Sequence, residues 1–571
     1  MATRLWRLSA ALLFLSAQLA VVAPASFAAA PTKAPAPDPR AWPTAYETTS
    51  TTLKDVLDAS KRAEGRIEDE SARTLRVAYV FHDGGLDGTE REVWRGDDYR
   101  IDMTMGPFLT AEGRYKDQLW ETNENGYTLL KRGIHKRAEA NVRALDKPDP
   151  GDDVKLLGRL RAPADVYVVR VAPADGREER RFYDATSFYL VRRETAYLGK
   201  LVVTTYEDYR TQNGVSLPFR ITLSDGHPEN DKVWTTTSLQ IGTPVQDAEL
   251  AIPGSRRLPV VMPAGVSSVR LPARVDPWGR IIVRLTVNGR GLDFQLDSGS
   301  SSIVLNRDVV RELNLKRYGR WSTTVAGSFT SGYAVVPKIE IGQVTMNDVV
   351  VEALPFSFEN DERTRVVGLL GYDFIAGCVV KIDYVHGTVD AIPSESFHVP
   401  EDAFVLDAAL DDNVPMIGMT VNDAFGDRFV LDTGADDVVV FSGFASKHPA
   451  AVEDHSPKKI LSRTFNIVSA NGVGGRLLMR PVLIQKLHIG QVQFPDWLAF
   501  VMTGNQQAFE GEEADGLVGA WALKVFDVYL DYANSRVVLV PNSRTRKTTP
   551  APAPSAPPPA AKPSPAPTAA P

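Results

Sequence analysis

The chain has 571 residues, 43% of them hydrophobic and 24% charged, with a net charge of -7 and an isoelectric point near 5.8. It is too long for one ordinary domain, and its composition is that of a folded globular chain, which excludes wholesale disorder, a collagen-like repeat and a disulfide scaffold. The acidic balance argues against a global grip on nucleic acid or anionic membrane. The single cysteine, Cys378, excludes an intrachain disulfide and any multi-cysteine metal site.

The first thirty residues have the make-up of a secretory signal. Arg4 and Arg7 form a positive start, Leu8 to Ala23 an apolar stretch, and Ala28–Ala29–Ala30 a small-residue cleavage site. The mature protein is therefore expected in the periplasm or outside the cell, with no stable membrane insertion after cleavage. Residues 31–44 form a Pro/Ala-rich spacer. Residues 543–571, almost all Pro, Ala, Ser, Thr and Lys from Thr548 on, form a tail expected to be disordered.

Between these ends, Thr51 to Gly65 carries Leu53, Val56 and Leu57 at helical spacing. From Leu75 onward short strands follow: Arg76–Val80, Tyr99–Met103, Val166–Val171 and Leu201–Tyr206. Asp83–Gly84–Gly85 and Asn213–Gly214 mark turns. A helix and a curved antiparallel sheet are expected over residues 45–250. The segments Phe182–Arg193 and Tyr209–Pro218 give this region a pattern that resembles the lipoprotein-carrier half-barrel fold. The resemblance implies a sheet that holds a lipid or peptide, or one that packs on a neighbour. Residues 251–274 read as a linker.

Residues 275–542 contain an internal repeat, divided as 275–395 and 396–542. Leu292–Leu305, containing Asp297–Ser298–Gly299, matches Asp427–Val440, containing Asp432–Thr433–Gly434. Ile341–Gly342–Gln343–Val344 recurs at Ile489–Val492, Gly368–Gly371 at Gly516–Gly519, and Asp383–Tyr384 at Asp531–Tyr532, each 148 residues on. The Asp triplets are 135 apart, so the second copy holds 13 further residues. The polar stretch Ser442 to Arg463, with Pro449 and Pro457, is their expected place as a surface insertion.

Two Asp-[Ser/Thr]-Gly triplets, each between apolar strands and each followed by a hydrophobic-hydrophobic-Gly block, resemble the aspartic proteases of the retropepsin and pepsin type. Leu431–Val440 is especially similar to the active-site segment of retroviral proteases. The resemblance implies a mainly β protein: two tandem retropepsin-like lobes forming a pseudo-two-fold bilobal unit behind the helix-plus-sheet domain. It also implies a catalytic pair, Asp297 and Asp432. Two carboxyls in contact cannot both ionise cheaply, so one takes a proton from water while the other polarises the carbonyl. Gly299 and Gly434 permit the close approach of the two loops. By the same resemblance, the Ser298 and Thr433 hydroxyls bond across the interface.

Asn471–Gly475 resembles a retroviral flap tip, which places Gly472, Val473, Gly474 and Gly475 over the substrate. The offset of 148 puts Val325, Ala326 and Gly327 at the same place in the first lobe, without the Gly-rich character. Tyr333 is a candidate flap tyrosine. The family's Gly-Arg-Asp/Asn is replaced by Gly371–Tyr372–Asp373 and Gly519–Ala520–Trp521, so the lobe interface must be packed without that Arg. His386 and His488 read as surface or strand-edge residues, and Asp373, Asp383 and Asp531 as turn and capping residues.

No metal-ligand spacing, nucleophile elbow or phosphate loop is present, so no metal or cofactor is expected. The reading is an exported aspartic endopeptidase acting on polypeptide, a monomer with an intramolecular pseudo-dimer and no nucleic-acid partner. Its rival is a non-catalytic periplasmic protein that uses the same lobes to hold peptide or lipid.

Overall fold

The computed structural model describes residues 44–65, 74–131, 140–141, 143–145, 148–174, 176–197, 200–256, 260–277, 279–324, 328–359, 365–410, 413–456, 468–472, 475–503 and 514–544. The expected signal peptide, nearly all of the spacer and nearly all of the tail lie outside the described residues, as do Val325, Ala326, Gly327, Val473 and Gly474. No helix among the described residues is long and apolar enough to cross a membrane.

Thr52 caps the first helix of the N-terminal region, Leu53–Ala63. Its hydroxyl accepts from Asp55 N while Asp55 returns a bond to Thr52 N, a capping box that satisfies two otherwise orphaned donors. The apolar face predicted from spacing is the one that packs, and Val56 is fully buried. The strands that follow form a thirteen-stranded antiparallel meander. Thr74–Asp83 pairs both with Leu86–Arg95 and with the last strand, Lys232–Ile241, so that two runs of strands fan out from it. Asn213 and Gly214 both take positive φ in the turn between Lys200–Gln212 and Val215–Ser224, the pattern a two-residue hairpin loop requires.

One face of this sheet is rich in aromatic side chains: Tyr79, Phe81, Trp94, Tyr99, Tyr167, Tyr183, Tyr206 and Trp234 are all buried. Carboxylates buried with them are used internally. Glu90 accepts from Trp234 Nε1 at 2.9 Å and Glu92 from Trp94 Nε1 at 2.8 Å.

Seven strands follow the same order in the two repeats; the first sheet adds Ala273–Val275 beside Ile281–Val287 and Phe358–Glu359 beside Arg365–Leu370. In the first, the order is Ile281–Val287, Arg290–Leu296, Arg365–Leu370, Val304–Asn306, Val344–Leu354, Ser328–Ile341, Arg317–Thr324. In the second it is Met416–Val421, Ala424–Leu431, Gly516–Val518, Val438–Val440, Val492–Met502, Gly475–Ile489, Val468–Gly472. In both, the strand that leads into the Asp triplet runs parallel to the Gly-Leu-[Leu/Val] strand, which pairs antiparallel with the strand that leaves the triplet. Each triplet therefore sits at a crossing held by strands on both sides.

A third sheet joins the copies. Its six strands run Val269–Arg270, Thr388–Ile392, Val379–Asp383, Phe526–Asp531, Arg536–Pro541, Phe404–Asp407, three from each half. Ile382 lies opposite Val528 and Val380 opposite Leu530 at the seam, all four fully buried. The stretch expected to be a surface insertion differs in part. Ala451 and Val452 are buried, and Asp454 Oδ1 accepts from Leu483 N, so the stretch packs on the strand Gly475–Ile489; its residues 457–467 lie outside the described residues. Pro449 starts a short helical turn there rather than a loop tip.

The central sheet generates a prediction. Residues 275–395 and 402–542 expressed separately each expose an unpaired strand edge and the apolar seam beneath it. Each is expected to self-associate in sedimentation, and mixing them should restore the one-to-one species.

Candidate active site

The strand Arg290–Leu296 and the strand Ala424–Leu431 deliver Asp297 and Asp432 to one place from opposite sides. Both residues have 0% exposure. A Cβ built on Gly299 would lie 2.5 Å from Asp432 Cγ, and one on Gly434 would lie 2.5 Å from Asp297 Oδ2. Only glycine lets each loop approach the other's carboxyl so closely.

The next residue in each triplet locks the geometry. Thr433 Oγ1 accepts from Ser298 N at 3.0 Å and donates to Leu296 O at 3.1 Å. Ser298 Oγ accepts from Thr433 N at 2.9 Å and donates to Leu431 O at 2.7 Å. These four bonds cross between the lobes in a buried setting where each unmade bond would be costly. Asp297 Oδ1 accepts from Gly299 N, and Asp432 Oδ1 from Gly434 N and Ala435 N. Burial, and then the charge of Asp297, push the Asp432 carboxyl well above its ordinary 3.8. Oδ2 of Asp432 is buried without a partner, a position that a proton shared with Asp297 would satisfy.

Of the flap residues named from sequence, Gly472 and Gly475 face each other at the end of the hairpin Val468–Gly472/Gly475–Ile489. A strand, Gly475–Ile489, and not a helix follows that turn, which is not the setting of a phosphate-binding loop. The first lobe has the corresponding hairpin, Arg317–Thr324/Ser328–Ile341, with Thr324 opposite Ser328 across residues 325–327. Phe329 on that hairpin packs on two apolar clusters. One, in the first lobe, contains Val304, Leu354, Phe356 and Leu369; the other, in the second, contains Met416, Val430, Ala435 and Leu517. Tyr333 does not take a flap-tip position. It pairs with Glu352 near the hairpin's base, its ring edge-on to Phe108 and Trp321.

The site has a floor that sequence reasoning missed. Tyr532 OH donates to Ser298 O at 3.3 Å, and Tyr532 stacks on Tyr372 with ring centroids 6.1 Å apart. Burial, followed by the charges of Asp297 and Asp432, pushes the Tyr532 hydroxyl well above its ordinary range; burial and Asp432 raise Tyr384 likewise. The signal was present as the repeated Asp-Tyr pair, legible in the sequence as register alone. Tyr372, which stands where the family pattern has Arg, belongs to this packing.

Next to it, the N-terminal loop 123–127 docks under the first lobe. Asn123 Nδ2 donates to Asp373 Oδ1 at 3.0 Å, Tyr127 OH to Asp373 O at 2.9 Å, and Asn125 exchanges two bonds with the backbone of Val350. Asp373 Oδ2 in turn accepts from Ile303 N. Asp373, Asp383 and Asp531 are thus turn and capping groups: Asp383 accepts from Val385 N and His386 N, and Asp531 pairs with Arg536. His386 is exposed and His488 lies on a strand, partly buried. Cys378 is buried, and burial pushes its thiol up. Among the described residues, no group of three or more His, Cys, Asp or Glu is placed to hold a metal.

The family model described as Aspartyl protease matches residues 283–374, the segment that holds Asp297 and the first-lobe hairpin. The match is confined to that segment, which is similar to the aspartyl protease family. No curated protein sequence matches the chain. Among solved structures it is similar to an aspartic proteinase from Irpex lacteus, at 14% identity over 49% of this chain and 99% of that one, with a TM-score of 0.30. It is also similar to a retropepsin-like aspartic protease from Rickettsia conorii, at 14% identity over 22% and 89%, TM-score 0.17. A third similarity is to a LolA superfamily protein from Nitrosomonas europaea, at 14% identity over 35% and 98%, TM-score 0.27.

Two predictions follow from this geometry. Thr433→Val keeps the shape but strands Ser298 N and Leu296 O, at a cost of about 1–3 kcal/mol for each group. Denaturant unfolding should show that loss, whereas Thr433→Ser should retain most of the stability. The second concerns Glu124, pushed up to about 7 chiefly by burial, with the Glu121 and Asp373 charges adding to it. Glu352, close to it, is raised well above its ordinary value by burial and by Glu124, and burial pushes Asp373 up to about 6. The folded state holds these protons where the unfolded chain has released them. Stability is therefore highest below about pH 4 to 5 on their account and is lost as pH rises toward 7. Glu124→Gln should flatten that part of the curve and raise the melting temperature at pH 8.

Proposed function

We propose that the protein is an exported aspartic endopeptidase, with Asp297 and Asp432 sharing one proton and activating a water between them. The observation that carries this is the meeting of two fully buried carboxyls at a pseudo-two-fold crossing, each loop locked to the other by the Ser298 and Thr433 bonds. Burying two such groups in contact is expensive, and a protein that only holds a ligand has no use for the expense. With the pair singly protonated, the ionised carboxylate takes a proton from water. The protonated one polarises the scissile carbonyl, and the water oxygen adds to that carbon. The proton is then passed to the leaving nitrogen as the C–N bond breaks, and the pair returns to its singly protonated state. The two hairpins would close over an extended polypeptide and exclude bulk water. The putting of this chemistry outside the cytoplasm rests on residues 1–30, whose charged start, apolar stretch and Ala28–Ala30 site have the form of a removable leader.

The test is digestion of a broad peptide library by the mature protein. Asp297→Asn and Asp432→Asn are each expected to abolish cleavage nearly as fully as the double variant, because the carboxyls act as one unit. Both should fold, since Asn is isosteric and relieves the repulsion. A single variant that kept a large share of activity would overturn the shared pair. Because Asp432 holds its proton well above its ordinary 3.8, cleavage should persist at pH values where free carboxyls are ionised. It should then fall as the shared proton leaves.

A further inference from the structure

Both carboxyls have 0% exposure, so polypeptide reaches them only if something above them moves. The first-lobe hairpin reaches across the lobes: Phe329, on its inner strand, packs on apolar clusters from both. The outer strand of the same hairpin is gripped by the N-terminal sheet. Trp321 Nε1 donates to Asp83 Oδ1 at 2.8 Å, and Asp83 is itself held by Lys232 at 2.7 Å. Arg320 N donates to Gly84 O at 2.7 Å, and Gly84 lies so close to the Trp321 ring that a Cβ there would overlap it. One residue on, the Asn230 amide makes a two-point bond to the Ser322 backbone, accepting from its N and donating to its O, both at 2.7 Å. Phe108 sits edge-on to Tyr318 and Tyr333, so both strands of the hairpin are held from that side.

On the second-lobe hairpin Leu478 is 44% exposed. The floor differs between the lobes as well. Asp373 lies buried under Asn123 and Tyr127, whereas Trp521, its equivalent 148 residues on, is 45% exposed.

We propose that the N-terminal domain positions the first-lobe hairpin over the carboxyl pair, with Trp321 and Asn230 as the positioning residues. The domain is on this account a working part of the cleft. The proposal rests on the proteolytic reading for its kinetic consequence, but its mechanical part does not. A hairpin fixed from outside presents the substrate with a preset roof, and less ordering is left to be done at binding. Loosening it raises the cost of every productive closure, so KM rises while chemistry in the closed complex changes less.

The experiment compares the mature wild-type chain with Trp321→Phe, Asn230→Ala and the double variant. Trp321→Phe keeps an aromatic ring but removes the N–H donor together with the five-membered half of the indole, and Asn230→Ala removes the amide without touching that packing. Amide hydrogen exchange is followed in peptides from residues 317–341 and, as an internal control, 475–489, alongside kcat and KM on a peptide substrate. Exchange in 317–341 is expected to quicken at least about tenfold in the double variant, which loses the charge-assisted Trp321–Asp83 bond and both Asn230–Ser322 bonds, with 475–489 unchanged. KM is expected to rise about as much, and kcat to fall less than threefold. Unchanged exchange in a double variant that melts cooperatively at the wild-type temperature would overturn the proposal. So would faster exchange with a raised kcat/KM, since the contact would then be a restraint on the hairpin and not its support. If the wild-type chain cleaves nothing, the proteolytic reading has failed, and the exchange arm alone decides whether the domain holds the hairpin.

Discussion

Ser298 and Thr433 exchange four hydrogen bonds across the pseudo-two-fold axis, and the placement of everything else at the centre follows from that exchange. Two buried carboxyls repel when ionised, and left to themselves their loops would separate. The crossed bonds engage two backbone N–H groups and two backbone carbonyls, so separating the loops would break all four in a dry interior. The seam of the six-stranded sheet adds the second restraint, pairing Val379–Asp383 with Phe526–Asp531 directly under the loops. Tyr532 connects the two, reaching from the end of that seam to Ser298 O.

The cleft built on this frame is not symmetric. Two residues before each Asp, on the same side of the strand, the first lobe has Gln295 and the second Val430. Gln295 Nε2 donates to Gly434 O at 2.9 Å, so on one side the carboxamide spans to the other lobe. Val430 joins the second lobe's apolar cluster with Met416, Met479 and Met502. Methionine side chains adapt to irregular shapes, which suits them to filling the uneven space in this buried cluster.

The parts of the fold that were legible in the sequence are those set by short-range pattern or by repetition. The helix Leu53–Ala63 was visible in its apolar spacing, and the strands in their alternation. The whole bilobal plan was visible in the constant offset of 148. A repeat with fixed register demands two copies of one topology, and two Asp triplets in such a repeat must meet if the copies pack about an axis. Contacts between distant segments carry no such signal. Nothing local to Asn123, Asn230 or Trp321 marks them as partners of Asp373, Ser322 and Asp83, because each is an ordinary polar or aromatic residue in an ordinary turn or strand. Tyr333 was named from family resemblance as a flap residue; it lies under Phe108 and Trp321 because a neighbouring domain covers that side of the hairpin. The insertion after Ser442 looked like surface for its polarity, yet Ala451 and Val452 found apolar strand to cover.

Carrying both halves in one chain is what permits the accessory domain its position. In a homodimer each contact made by one subunit is made by the other, so a gripping domain would have to hold both hairpins, and the approach to the cleft would narrow from both sides. Duplication within one chain removes that requirement. The first copy has Tyr372–Asp373 where the second has Ala520–Trp521, and only the first meets Asn123 and Tyr127. On the proposed reading, one hairpin is then fixed to an external sheet without the same constraint being imposed on the other.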